Sequence, residues 1–251
     1  MSSENSAVME AMVALHGAME RQGPGSDAIT RRLLNRLPPL PSEPKVADLG
    51  CGTGASALVL AEALGTPIDC VDTAPAFITI LKDRAQARGL DHLIRGHVGD
   101  MAQYSHADGP LDLLWSEGAA YNLTFAGALS AWRPILRAGG HAVISELTWF
   151  QAERPQKVEA FWAEAYPELA DEAGNIATAE TCGFEVLFTE RLPIEAWRSG
   201  YYAPLKARAD TLYEDASDAM RSVIEETRRE ITLFEEADNS LGYTFYGMSA
   251  L

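Results

Sequence analysis

Apolar positions along this chain recur with two periods, and the switch between them outlines its elements. Over residues 6–20, Met9, Met12, Val13, His16 and Met19 fall at helical spacing and predict an amphipathic helix. Arg21-Gln22-Gly23-Pro24-Gly25-Ser26 breaks it, and Ser26 or Asp27 caps a second helix running to about residue 37. Pro38-Pro39-Leu40-Pro41 then forms a stiff connector. Beyond it, short apolar runs at 45–49, 68–72, 94–98, 111–115 and 141–146 read as strands, separated by helical stretches at about 55–64, 75–89 and 124–137. Arg137-Ala138-Gly139-Gly140 is expected to cap the last of these helices and turn into the fifth strand. Strands alternating with helices in this way predict a parallel, doubly wound α/β sheet covered on both faces.

Two more helices are predicted at 153–166, stopped before Pro167, and at 173–182, closed by Gly183. Residues 184–189 and 243–248 read as two further strands. Between them, Met220, Val223, Ile224, Thr227, Ile231 and Phe234 share one helical face against charged Glu225, Arg228, Arg229 and Glu235. The expected organisation is one domain over 1–251. It comprises a helical N-terminal lid (1–40), a core (45–190), a helical insertion (195–240) and a last strand (243–248). The insertion reads as a lid or as a helix packed on the flank of the domain.

The most informative run is Val46-Ala47-Asp48-Leu49-Gly50-Cys51-Gly52-Thr53-Gly54. An apolar strand ends in an acid, three glycines follow on alternate positions, and a helix-competent stretch begins at Ala55. Glycine suits a backbone that bends sharply or lies against a ligand with no Cβ in the way. The spacing is not G-x-G-x-x-G, because Ala55 holds the sixth position, and no G-K-[ST] ending places a lysine for a triphosphate. Asp72, at the end of the second strand, offers a carboxylate for both hydroxyls of a ribose, or alternatively a helix cap. Asp69 points to the opposite face by strand alternation. Val98-Gly99-Asp100-Met101 follows the third strand, as a ligand loop or a plain Gly-Asp turn.

Composition narrows the function. The 251 residues are 47% hydrophobic with a net charge of −16, and no lysine–arginine stripe stands out. Such a surface repels phosphate backbones and anionic membranes, so neither nucleic acid nor a membrane is an expected partner. Met1-Ser2-Ser3-Glu4-Asn5 lacks the basic start and apolar run of a signal peptide. Three isolated cysteines, Cys51, Cys70 and Cys182, read as reduced thiols in a cytoplasmic protein. No cluster has metal-ligand spacing, so no metal is expected.

The run from Val46 to Gly54 resembles motif I of the class I S-adenosyl-L-methionine (SAM) dependent methyltransferases. Trp115-Ser116-Glu117-Gly118-Ala119-Ala120-Tyr121-Asn122, after the fourth strand, is similar to the W-S-E-G-A-x-Y-N of small-molecule enzymes in the quinone-biosynthesis methyltransferase group. Arg21–Gly25, Glu146 and Tyr201–Leu205 extend that resemblance over essentially the whole chain. It implies a Rossmann-like, doubly wound, seven-stranded, mostly parallel sheet whose N-terminal helices and insertion form a cap. It implies SAM as cofactor and a cofactor site drawn from Asp48, Gly50, Cys51, Gly52, Gly54, Asp72, Thr73, Gly99, Asp100, Met101, Ser116, Glu117, Gln22 and Gly23. Asp100 would bond the adenine amino group, with Met101 packed on the ring.

Transfer from a sulfonium needs an oriented acceptor and, for some acceptors, removal of a proton. Glu117, Tyr121 and His16 are the candidate catalytic residues. Glu117 reads equally as a group that bonds only the SAM ammonium, Tyr121 as a packed aromatic and His16 as a core histidine. Trp149, Tyr201, Tyr202 and Glu146 are candidate substrate-binding residues, the aromatics reading also as ordinary core. The expected function is methylation of a small-molecule acceptor by a cytoplasmic monomer or homodimer. Rival readings are a non-catalytic SAM-binding regulatory protein and, less favoured, a nicotinamide-dependent oxidoreductase, which would want a differently spaced third glycine and a Tyr-x-x-x-Lys pair.

Overall fold

A computed structural model describes residues 3–251, with side chains from Ala7 onward. Two helices, α1 (Ser3–Gly17) and α2 (Asp27–Leu34), precede the first strand. The core then runs β1 (Val46–Leu49), α3 (Ala55–Leu64), β2 (Ile68–Asp72), α4 (Pro75–Ala87), β3 (Ile94–Val98), β4 (Leu111–Ser116), α5 (Phe125–Trp132) and β5 (Leu136–Trp149). After it come α6 (Gln156–Ala165), α7 (Glu172–Thr181) and β6 (Phe184–Arg191). The insertion holds α8 (Ile194–Trp197), a π-helical turn over Arg198–Tyr202, α9 (Ala203–Tyr213) and α10 (Asp218–Glu236), and β7 (Leu241–Ala250) closes the chain.

The seven strands form one sheet in the order β3-β2-β1-β4-β5-β7-β6, with β7 antiparallel to both neighbours. The order reverses at β1, and a crevice opens there beyond the carboxyl ends of β1 and β4. Every residue of β1 and β4 is buried, as expected for central parallel strands covered on two faces. One core layer joins the sheet to α1, α3, α4 and the insertion, while the other joins it to α5 and α7.

Local chemistry sets the boundaries. Ser26, Asp171 and Ser217 cap α2, α7 and α10 by accepting a backbone N–H three residues on. Pro75 occupies the first turn of α4, where its missing N–H costs nothing. The region of Arg137–Gly140 differs from expectation. Helix α5 stops at Trp132, a 3₁₀ turn carries Pro134, and Leu136 already pairs with Leu111. Gly139, at φ +70°, lies inside β5, whose register against β4 shifts between Leu111 and Leu113. Proline ends the helix early, and the glycines serve a strand irregularity instead of a helix cap. Strand β5 is consequently much longer than 141–146, because β7 pairs with it as far as Trp149.

The insertion is helical, but built from three helices and a π turn. Its longest helix buries Val223, Ile224, Thr227 and Phe234 and packs on α1. Arg208 of α9 donates to the carbonyls of Ala14 and Leu15 and so satisfies the open end of α1. The two segments therefore form a single cover over the sheet's carboxyl edge.

Candidate active site

Beneath that cover lies a cavity of about 1030 Å³. Small-molecule sites commonly measure about 300–1,000 Å³, so this one has room for two small molecules side by side.

One end is made by the glycine turn. Gly50 and Gly52 adopt φ of +76° and +53°. A Cβ on Gly50 would stand 2.2 Å from that of Ala119, and one on Gly52 2.6 Å from Gln22 Oε1. The turn can thus be lined only by backbone. Gly52 N–H donates to Asp72 Oδ2 and Ala74 N–H to Asp72 Oδ1, both at 2.9 Å. Asp72 therefore braces the turn and the entry to α4 while facing the cavity, so the ribose and capping readings describe one residue. Burial raises its pKa, opposed by those two hydrogen bonds. Asp48 is only 1% exposed and lines the same end, with Oδ2 lacking any hydrogen-bond partner. Burial, then the nearby Glu117 charge, push its pKa well up, so a cation beside it would be strongly welcome. Cys51, Thr73, Gly99, Asp100 and Met101 complete this end. Asp100 is exposed and accepts from Ala102 N–H, and the Met101 carbonyl accepts from Trp132 Nε1.

Several expected site residues do other work. Gly54 does not line the cavity. Its φ of +85° begins α3, and a Cβ there would meet Leu81 Cδ1 at 2.0 Å, so it serves helix packing. Ser116 is fully buried and donates to the Leu49 carbonyl, fastening β4 to β1. Gln22 lines the cavity beside Gly23, but its polar atoms are used. Its Oε1 accepts from Thr53 N–H and Oγ1, and its Nε2 donates to the carbonyls of His16 and Met19.

Glu117 lines the cavity with a carboxylate held by three donors. Oε1 accepts from Thr30 Oγ1 and Trp115 Nε1, both at 2.8 Å, and Oε2 pairs with Arg21 at 3.0 Å. Arg21 also reaches Asp27 at 2.9 Å. Glu117 is thus a strut that fixes the Arg21–Gly25 stretch, and a general-base role conflicts with its three donors.

The other end is aromatic. Tyr201, Tyr202, Tyr121 and His16 all face it. Tyr121 is 44% exposed, into the cavity. His16 Nδ1 lies 3.5 Å from the Tyr201 hydroxyl, and burial followed by the Arg208 charge lowers its pKa. Trp149 is a correction. It is buried outside the cavity, bridged to Asp171 and covered by the Arg154 guanidinium at 4.5 Å. Glu146 is also absent from the lining. It is 1% exposed with neither oxygen in hydrogen-bonding geometry, and burial raises its pKa to about 8, eased in part by Tyr166 and the Leu147 N–H. Its charge reaches Tyr121 and Tyr243 from behind the wall.

Sequence reasoning missed Trp162, Tyr166, Trp197, Phe234 and Tyr243 on that wall, together with Glu226 and Glu230. Glu230 left a signal. It sits seven positions after Val223 and four before Phe234, a charge within the apolar stripe of α10. Among the described residues, no group of three or more His, Cys, Asp or Glu is placed to hold a metal ion, and no helix is long and apolar enough to cross a membrane.

Residues 46–140 match the family model of a methyltransferase domain. Magnesium-protoporphyrin O-methyltransferase of Rhodobacter capsulatus is 40% identical over 78 residues, 31% of this chain and 34% of that protein. Tocopherol O-methyltransferase of Arabidopsis thaliana chloroplasts is 35% identical over 72 residues, 29% of this chain and 21% of that one. The matches thus span about a third or less of these relatives' lengths. A SAM-dependent methyltransferase from Geobacter sulfurreducens, solved with S-adenosyl-L-homocysteine, superposes with TM-score 0.83 at 19% identity over 96% of this chain and 98% of that one. A Thiobacillus denitrificans counterpart with the same ligand gives 0.82 at 20% identity, covering 97% and 98%. Residues 46–140 thus carry a methyltransferase domain, and the whole chain has the fold of these SAM-dependent methyltransferases. Neither rival reading gains support from these relatives.

Proposed function

We propose that this protein is an enzyme that moves a methyl group from SAM to a small-molecule acceptor held in the same cavity. The observation that carries this reading is the single space of about 1030 Å³ with a backbone-lined glycine turn at one end and an aromatic compartment at the other. The residues present fit SAM. The unpartnered Asp48 oxygen suits the ammonium of its amino-acid part. Asp72, each oxygen holding one backbone N–H, keeps lone pairs for ribose hydroxyls. Asp100 and Met101 suit the adenine.

When bound, SAM supplies a methyl group on a positively charged sulfur that leaves without protonation. The remaining tasks are this chain's. The cover of α1 and the insertion excludes water, and the aromatic wall orients the acceptor toward the glycine turn. His16, kept neutral near pH 7 by burial, is positioned to take a proton from an acceptor that must lose one. The net charge of −16 and the enclosed compartment favour a small acceptor over nucleic acid, in a cytoplasmic monomer or homodimer. The Arg21–Gly25 turn would act as hinge for the cover, which hydrogen exchange with and without SAM would reveal as added protection of α1 and α10.

Calorimetric titration with SAM and S-adenosyl-L-homocysteine, followed by labelled-methyl transfer into a metabolite mixture, tests the proposal. Binding of NAD in place of SAM would refute it. Binding of SAM with no transfer to any acceptor would return the regulatory reading.

A further inference from the structure

We infer that the acceptor is a small organic amine, recognised as a cation in the aromatic compartment with Glu230 as its counter-charge. This rests on the methyltransferase reading above. Trp197 is the hub of the compartment, with ring centroids 4.6 Å from Phe234, 4.7 Å from Tyr243 and 5.7 Å from Tyr202. Tyr201 adjoins Tyr202 at 5.2 Å, and the exposed ring of Tyr121 faces the same space. Electron-rich rings packed in this way attract a cation, most strongly where water is scarce.

The charged side chains that line the compartment are carboxylates, with Arg208 acting on His16 from outside the lining. Glu230 lines the cavity, accepts from the Tyr202 hydroxyl at 2.8 Å and pairs with no cation among the described residues. Its carboxylate is open to the cavity, and the surrounding wall raises its pKa. Glu226, one turn earlier, adds a second carboxylate, only loosely met by Arg229 at 3.9 Å. Glu146 stands behind the wall and adds its charge only as pH rises through about 8. The arginine that lines the cavity, Arg21, is already paired with Glu117 and Asp27. A carboxylate, phosphate or phenolate acceptor would find carboxylates and no unpaired cation on this lining.

The chemistry suits an amine for a second reason. The bound ammonium first gives an N–H proton to His16, which stands against Tyr201. The freed lone pair then forms the new N–C bond as the S–C bond breaks, and that bonding pair stays on sulfur as a neutral thioether. The positive charge passes from sulfur to nitrogen, so it moves toward the rings and Glu230 instead of being cancelled. A site that holds the charge better as it arrives lowers the barrier as well as binding the substrate.

The test uses the full chain saturated with S-adenosyl-L-homocysteine. Choline and its neutral isostere 3,3-dimethylbutan-1-ol are titrated by calorimetry and tryptophan fluorescence, and a panel of amines, phenols, carboxylates and phosphate esters is offered with labelled SAM. The expected result is choline binding at least tenfold tighter than the isostere, with label entering amines alone. Glu230→Gln should weaken choline at least tenfold and leave S-adenosyl-L-homocysteine affinity unchanged. Tyr202→Phe, which keeps the charge and removes one hydrogen bond, should weaken choline less, and it stands in should the first variant misfold. Equal affinity for choline and the isostere, or transfer to phenols alone, would overturn the amine assignment while the methyltransferase reading stands. Failure to bind S-adenosyl-L-homocysteine at all would overturn both.

Discussion

The two ends of the cavity are built on opposite plans. The cofactor end comes from consecutive residues at the carboxyl edges of β1, β2 and β3, and its working surface is largely backbone, held by Asp72 and by glycines that admit no Cβ. The acceptor end is assembled from side chains of α1, α6, the Tyr121 turn, the insertion and β7. Backbone geometry tolerates little change, whereas a wall of side chains from remote elements is readily rebuilt. A fold of this kind can thus keep one cofactor while its acceptor changes.

The largest expected effect probes the boundary between the ends. Glu146 has a folded-state pKa of about 8 against 4.5 for an ordinary carboxyl. The folded state favours its neutral form, so its contribution is fully present below about pH 4.5 and lost as pH rises through 8. Ionising it in place costs up to about 5 kcal/mol by pH 8 and beyond. Glu146→Gln should therefore be nearly neutral in stability at pH 5 and stabilising by several kcal/mol at pH 8, read from urea midpoints across pH. A pH-independent difference would contradict this account of its burial.

Gly54→Ala separates packing from ligand contact at the glycine turn. A left-handed alanine and the overlap with Leu81 together should cost about 3 kcal/mol in denaturant titrations. Gly52→Ala shares the left-handed strain but meets the Gln22 side chain instead of the Leu81 core, so its stability loss should be smaller and be joined by a loss of SAM affinity. Equal stability losses would erase the distinction drawn between the two glycines.

The strut comes next. Arg21→Ala leaves the Glu117 carboxylate half-released and should cost about 2 kcal/mol, while Arg21→Ala with Glu117→Gln should recover part of it. A double-mutant cycle showing no coupling would remove Glu117 from that role. The smallest effect belongs to Trp149→Phe, which keeps an aromatic outside the cavity and should leave kcat/KM within about twofold of the parent, since it removes no transition-state contact. A tenfold loss would place Trp149 with the acceptor wall after all.

Residues whose role depends on the backbone turn they occupy were legible in the chain. Asp48, Gly50, Gly52, Asp72 and Asp100 sit at or just beyond strand ends, and the topology of a doubly wound sheet carries all such ends to one crevice. Residues whose role depends on a partner far along the chain were not. Glu117 looked free to act as a base because its donors lie at Thr30 and Arg21, 87 and 96 residues away. Trp149 looked like a pocket wall, but the pairing of β5 with β7 and the bridge to Asp171 set it in the core beside the cavity. Glu230 was partly visible as a charge in an apolar stripe, yet its meaning required Tyr202 at 2.8 Å.

The sequence by itself determined the sheet, the position of the crevice and the backbone-lined glycine turn, because periodicity and glycine placement act locally. Tertiary structure alone decided which carboxylates are spent on struts and which are left waiting, because hydrogen bonding and burial are settled by neighbours that only the folded chain brings together.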